Sequence, residues 1–345
     1  MEKIRLKLIS LEDIMAARAL SVSHTIDIIE QVLVDYKRGA VLLPDKISQI
    51  FDEKTQSRIN CMPSTLLEKK VCGVKWVSVF PCNPKLYQTP NVSGVILLSE
   101  LQKGYPFAIV EGALITALRT ACIGAIGAKY LARRDSRVYC SIGSGEQAKM
   151  HFMAIKSLFP GIQVCKVASR TAENEERFAK ELREKYPDVE FVLCNSCYEE
   201  ASRDADIIVT AVSCQAPLLK AHTIKKGAFY CHVGGWEDEY EVALKADKIV
   251  CDRWECVKHR SQTISRLYKE GKLLDEDIYA DLASIIDGTV RGRENDDEFI
   301  YFNSVGLAFI DVAIAQDVYE RVTSLGGGHE WILQDRELDS ALDFL

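Results

Sequence analysis

A short apolar run that ends in a glycine pair constrains this chain more than any other feature. Residues Arg137–Ile142 read as a strand. They lead into Gly143-Ser-Gly-Glu-Gln-Ala148, after which the sequence turns helical. A G-x-G-x-x-A turn between a strand and a helix is the dinucleotide fingerprint. The glycines permit a tight turn and close approach of a pyrophosphate, and the helix N-terminus adds amide donors and a favourable dipole. Alone the pattern is weak, and its bland alternative is a tight structural turn. Here a second strand follows, ending at Val167-Ala-Ser-Arg-Thr171.

The surrounding texture agrees. VYCSIG, QVCKVAS, VEFVLC, ADIIVTAV, GAFYCHVG and KIVCD are continuous apolar runs with helical segments between several of them. Such runs mark strands covered on both faces, as in a parallel sheet. The expected fold is α/β, with a doubly wound Rossmann domain over 121–310. Residues 41–110 differ: RINCMPS, GVKWVSVF, SGVILLSE and PFAIVEG suggest an antiparallel or mixed sheet. A helix precedes them, with Ile26, Ile29, Leu33 and Tyr36 at helical spacing and Gly39 as its stop. A strongly apolar helix is expected over Leu114–Arg133. The last 40 residues read as helical, with Gly326–Gly328 as a joint, and are expected to pack back on the first part. At 345 residues two domains are expected. They are the Rossmann domain and an N-terminal mixed α+β unit for substrate binding and dimerisation, 1–120 with 311–345, completed by the C-terminal helix.

Charge and composition exclude other classes. Forty-three basic against 50 acidic residues give a net charge of −7, a poor match to a nucleic-acid binder. No uninterrupted apolar run reaches the roughly 18 residues of a membrane span, and the charged N-terminus does not read as a signal peptide. A cytoplasmic protein with no membrane or nucleic-acid partner is expected. Of twelve cysteines, Cys140, Cys165, Cys231 and Cys251 sit in strand-like runs as small buried hydrophobes. Cys194 and Cys197 form a lone CxxC without further ligands at matching spacing, so no metal site is expected.

At the end of the second strand, NAD enzymes usually carry an acid for the ribose 2′-hydroxyl. This chain has Ser169, Arg170 and Thr171. A guanidinium and hydroxyls suit a 2′-phosphate, so NADP(H) is favoured and NAD(H) stays possible. Three cations stand in unusual settings before the Rossmann part: Lys46 in LLPDKISQ, Lys75 in CGVKWVSVF and Arg119 in ALITALRTAC. A buried cation needs an anion. The partner is either an internal carboxylate or a substrate carboxylate or cofactor phosphate.

GVKWVSVFPCNP, ALITALRTACIGAIGAKYLA, IGSGEQA, VGGWEDEYEV and FNSVGLAFIDVAIA, in this order over about residues 5–325, resemble the ornithine cyclodeaminase/μ-crystallin family. The resemblance implies an NAD(P)(H)-dependent oxidoreductase acting on the C–N bond of an amino or imino acid, and a homodimer paired through its N-terminal sheets. It implies that Lys75 and Arg119 bind the substrate carboxylate and carry the catalytic roles, with Lys46 where many members have Arg. For the cofactor it implies Thr89, Arg119 and Thr120 at phosphates, and Gly143, Gly145, Glu146 and Gln147 at the pyrophosphate turn. Ser169, Arg170 and Thr171 would meet the adenosine ribose. Thr210, Ala211, Val233, Gly234 and Ser304 complete the cofactor set, and Val305 and Trp236 line the substrate side. Lys75 either clamps the carboxylate or donates a proton; the residues alone leave both open.

One departure stands out. Cyclodeaminases carry an Asp directly after the VGG segment, to handle the amine. Here that position is Trp236, which cannot act as a base or accept from an ammonium. Glu237, Asp238 and Glu239 follow; one of them could substitute, and each alone reads more simply as part of a solvated acidic turn. The branch most resembled, through GVKW, SGVILLSE, DRWECVKHR and GRENDDEFI, is the siderophore-pathway one with the N-(2-amino-2-carboxyethyl)-L-glutamate dehydrogenases. The alternatives are a cyclodeaminase and a non-catalytic NADPH-dependent binding protein of μ-crystallin type.

Overall fold

The structure, a computed structural model, describes residues 3–336; the expected first unit's residues 1–2 and 337–345 lie outside the described residues. The chain forms two compact units, Met1–Arg119 with Leu307–Leu345, and Thr120–Gly306.

In the first unit the strands are Ile4–Ile9 (β1), Val41–Leu42 (β2), Ile47–Asp52 (β3), Ser57–Leu66 (β4), Val71–Val79 (β5), Val92–Glu100 (β6) and Pro106–Glu111 (β7). They form one mixed sheet in the order β1-β7-β6-β5-β4-β2, with β3 beside β4. Only β1 and β7 run parallel here; β4 through β7 form an antiparallel meander. Strand alternation divides β5 cleanly. Val71, Gly73, Lys75 and Val77 are buried, while Trp76 is exposed. Helix Ala308–Ser324 covers the buried face: Val312 lies so close to Gly73 that a Cβ there would sit 2.8 Å from its Cγ2. Helix Val22–Lys37 packs on the same helix through stacked Tyr36 and Phe309 rings, 5.1 Å apart.

The helical reading of the tail needs correction. The helix stops at Ser324, and Gly326 and Gly328, with φ of +78° and +79°, reverse the chain. His329–Gln334 then pairs with β1 as an antiparallel edge strand. Left-handed glycines end a helix at little steric cost, and no apolar face follows to restart one.

The long apolar helix runs Ala113–Leu131 and passes from the first unit into the second at Arg119–Thr120. By length and composition alone it is apolar enough to cross a membrane, but 67% of its 18-residue apolar window is buried within the protein.

In the second unit the strands are Val138–Ile142 (β8), Val164–Ala168 (β9), Glu190–Leu193 (β10), Ile207–Thr210 (β11), Gln215–Leu219 (β12), Phe229–His232 (β13), Trp236–Asp238 (β14), Lys248–Cys251 (β15), Ala280–Asp281 (β16) and Ile300–Asn303 (β17). Eight of them form a parallel sheet in the order β10-β9-β8-β11-β13-β17-β15-β16. The order reverses at β8, next to β11, which is the doubly wound switch point. Every residue of β11, β13, β15 and β17 is buried, which explains their unbroken apolar runs. Cys140, Cys165, Cys231 and Cys251 are buried there as free thiols. Of the CxxC pair, Cys194 is buried and Cys197 exposed. Among the described residues no group of three or more His, Cys, Asp or Glu side chains could hold a metal.

Candidate active site

In the second unit, Gly143 follows β8 with φ +115°. A Cβ on it would lie 2.6 Å from the Ala211 carbonyl oxygen, so the loops after β8 and β11 can meet only because this residue is glycine. Its N–H donates to the Ala168 carbonyl (2.8 Å), and the Ser141 hydroxyl donates to its own carbonyl (2.8 Å). Gly145 caps helix Glu146–Leu158 and faces open space. An anion therefore finds a helix N-terminus with room before it.

After β9, Ser169 is buried. Its hydroxyl donates to the Thr171 carbonyl (3.0 Å), and its N–H to the Glu175 carboxylate (2.9 Å). Thr171 caps helix Ala172–Arg183. The Ser169 hydroxyl is thus engaged within the turn itself. Arg170 and Thr171 are exposed. Glu175, which sequence reading missed, also accepts from the Asn195 and Ser196 amides (2.8 Å each).

The loops after β11, β13, β15 and β17 are laced together by buried polar groups. Thr210 faces inward, its hydroxyl donating to Glu237 (2.7 Å). The Gly234 N–H also donates to Glu237 (2.7 Å), while its carbonyl accepts from Gln262 (2.8 Å). Ser304, Val305 and Gly306 all donate to Asp252, at 3.0, 2.8 and 2.8 Å. Burial holds the Asp252 carboxyl above the usual carboxylate range, against four hydrogen bonds that lower it.

Glu237 and Asp238 are not a solvated acidic turn: both are fully buried. Asp238 accepts from the His232 Nδ1–H (2.8 Å) and the Thr263 hydroxyl (2.6 Å). His232 donates through Nε2 to the Gly235 carbonyl (2.8 Å). Burial pulls the imidazole pKa down, but Asp238, Glu237 and that carbonyl raise it above its usual value. Glu239 is only partly exposed and pairs with Lys220 at 3.0 Å. Trp236 is half-buried; its ring carries the Arg266 guanidinium at 4.8 Å.

In the first unit, strand alternation sends Lys75 to the covered face of β5. Helical spacing puts Thr116 and Arg119 on one side of helix Ala113–Leu131. All meet Asp311, in the first turn of helix Ala308–Ser324. Lys75 Nζ lies 2.6 Å and Arg119 Nε 3.0 Å from the same Asp311 Oδ1, and Lys75 also donates to Thr116 Oγ1 at 3.3 Å. Lys75 and Asp311 are fully buried and Arg119 is 6% exposed. Burial, and then the neighbouring Arg119 charge, bring the Lys75 pKa down to about 7, against the pull of Asp311.

The two cations therefore share an internal carboxylate, the partner that sequence reading set beside a substrate anion. Asp311 went unnoticed, although an aspartate inside AFIDVAIA is as conspicuous as Arg119 inside ALITALRTAC. Its Oδ2 is buried and has no hydrogen-bond partner. Lys46 is half-buried in the loop between β2 and β3, Thr89 is exposed in the loop before β6, and Thr120 is half-buried on the long helix.

A parallel sheet of this order with a glycine turn at its switch point defines a dinucleotide-binding protein, here joined to a second unit with a buried Lys–Asp–Arg cluster. The chain belongs to the ornithine cyclodeaminase/mu-crystallin family, whose model matches residues 7–326. It is 31% identical over 265 residues to N-((2S)-2-amino-2-carboxyethyl)-L-glutamate dehydrogenase of Staphylococcus aureus, covering 76% of this chain and 79% of that one. Among solved structures it resembles Thermococcus litoralis Δ(1)-pyrroline-2-carboxylate reductase in complex with NADH and L-proline. The TM-score is 0.88 and the identity 31%, over 94% of this chain and 99% of that one. An archaeal alanine dehydrogenase dimer with bound NAD gives the same TM-score at 29% identity, over 96% and 100% of the two chains.

Proposed function

We propose that this protein is an NAD(P)(H)-dependent oxidoreductase acting on the C–N bond of an amino or imino acid. The observation that carries the reading is the buried Lys75–Asp311–Arg119 cluster in a family member that also has an open glycine turn. The cofactor fits the residues present: Gly143, Gly145, Glu146 and Gln147 would hold its pyrophosphate, and Arg170 and Thr171 its adenosine ribose. When bound, the nicotinamide supplies or accepts the hydride.

The chain's own residues do the rest. Arg119 gives Asp311 its Nε, which leaves the two Nη groups to take a substrate carboxylate end-on and fix its plane. Lys75 titrates near neutrality, so its Nζ can hold a proton and release it to the substrate nitrogen as the α-carbon is reduced. Asp311 holds both cations in place and keeps their mutual repulsion from splaying them. The enzyme dehydrogenates an amino acid in the reverse sense with the same groups.

A cyclodeaminase reading lacks an acid. Trp236 stands at the required position, Glu237 already accepts three hydrogen bonds, and Asp238 is paired with His232. NADP(H) is the preferred cofactor in this reading, on Arg170 and the missing acid at the end of β9. A homodimer is its assembly, supported by an apolar row on the outer face of the first sheet. Ile47, Trp76 and Val95 in that row are exposed at 61%, 44% and 44%.

The decisive test follows nicotinamide absorbance with a panel of cyclic imino acids, and of keto acids with amines, each with NADH and NADPH. Turnover with at least one imine is expected. Tight cofactor binding without turnover on any member of the panel would overturn the reading in favour of a binding protein.

A further inference from the structure

Glu237 takes no proton in the mechanism above, yet it makes three short contacts at the carboxyl edge of the parallel sheet. Its Oε1 accepts from the Val212 N–H at 2.7 Å. Its Oε2 accepts from the Thr210 hydroxyl and the Gly234 N–H, each at 2.7 Å. Thr210 ends β11 and Val212 follows it, whereas Gly234 follows β13, the neighbouring strand. One fully buried carboxylate thus spans the loops of two adjacent strands. Gly234 is a glycine for this reason: a Cβ there would collide with the Glu237 carboxylate and the Val212 carbonyl. His232 Nε2 stands 3.7 Å from Oε2.

In a doubly wound sheet the strands on one side of the switch point carry the adenosine half of a dinucleotide, and those on the other side carry the nicotinamide half. β8, β9 and β10 form the first set, and β11 and β13 open the second. We propose that Glu237 is a positioning residue for the nicotinamide half of the cofactor: it locks the loops after β11 and β13 at one separation, so that the ring meets a preformed floor. The proposal rests on the dinucleotide-dependent reading above. Charge-assisted contacts to backbone amides are among the stronger hydrogen bonds. A floor already ordered spares each binding event the cost of ordering it.

Two variants and two ligands test this. Glu237→Gln sets an amide NH2 against one of the backbone N–H donors, and Thr210→Val removes, at nearly constant shape, the hydroxyl that bonds Glu237 and the Tyr230 hydroxyl. Dissociation constants are measured by calorimetry for NADH and for ADP-ribose, which lacks the nicotinamide. Glu237→Gln is expected to weaken NADH roughly tenfold or more, and Thr210→Val roughly threefold, with ADP-ribose within about twofold of the unmodified protein in both. Equal losses for the two ligands would overturn the proposal in favour of a purely structural role, as would no loss for either. If Glu237→Gln does not fold, the Thr210→Val comparison alone decides by the same criterion. An unmodified protein that binds neither ligand would overturn the dinucleotide reading, and this inference with it.

Discussion

At the scale of single residues, the arrangement turns on one lysine held near neutrality. Lys75 is surrounded by Asp311 from one helix and by Arg119 and Thr116 from another. Its protonated form is full below about pH 7 and is lost as the pH rises through that value. If Lys75 supplies the proton, kcat/KM for imine reduction falls on the alkaline side of about 7. Asp311→Asn removes the one charge that raises this pKa, so the falling limb moves to lower pH; a pH–rate profile on both proteins checks it. The same depressed pKa has a stability consequence. The unfolded lysine keeps its proton up to about 10.5, the folded one only to about 7. The unfolded state therefore binds more protons between these values, and this group's contribution makes folding more favourable as the pH rises across that window. Lys75→Ala should lower kcat/KM about a hundredfold or more, equivalent to ~2.7 kcal/mol, while ADP-ribose affinity holds. Asp311 adds a control. If the cations only neutralise it, Lys75→Ala lowers the melting temperature and leaves kcat/KM of the folded enzyme intact.

At the scale of elements, the turns at the ends of β8 and β9 form the proposed cofactor site. Gly143 needs both its positive φ and its missing Cβ, because the Ala211 carbonyl occupies that space. Gly143→Ala should cost about 1–3 kcal/mol of stability, readable as a drop in melting temperature, and weaken both NADH and ADP-ribose. That response differs from the nicotinamide-selective loss expected at Glu237. In the proposed reading the turn after β9 carries the choice between the two nicotinamide dinucleotides. With the Ser169 proton bound to the Thr171 carbonyl, Arg170 is the cation left for a 2′-phosphate. NADPH should bind more tightly than NADH, and Arg170→Ala should remove most of a roughly tenfold preference. Equal dissociation constants in the unmodified protein would contradict this.

At the scale of the whole molecule, the outer face of the first sheet is the question. Ile47, Cys61, Trp76 and Val95 stand opposite one another across β3, β4, β5 and β6. A sheet face this apolar is costly in water, and the proposed homodimer would bury it. Sedimentation at micromolar concentration should give about twice the 38.7 kDa chain mass. Trp76→Asp, on the face away from Lys75, should shift that mass toward the monomer with the helix content unchanged.

The local periodicities and the glycine turn were enough to read the parallel sheet, its switch-point turn and the buried setting of Lys75 and Arg119, because each depends on neighbours close in sequence. The partners of those groups depend on chain segments far apart. Lys75 and Asp311 are separated by 236 positions, and Asp252 reaches Ser304 across 52. Glu237 and Asp238 show the limit most plainly. In sequence a Glu-Asp-Glu run is a solvated turn by composition, and in the fold two of its three carboxylates are fully buried. A carboxylate's surroundings are decided by which donors converge on it. Here the Val212 and Gly234 amides, the Thr210 and Thr263 hydroxyls and the His232 ring come together only when β11, β13 and the segments after them have packed.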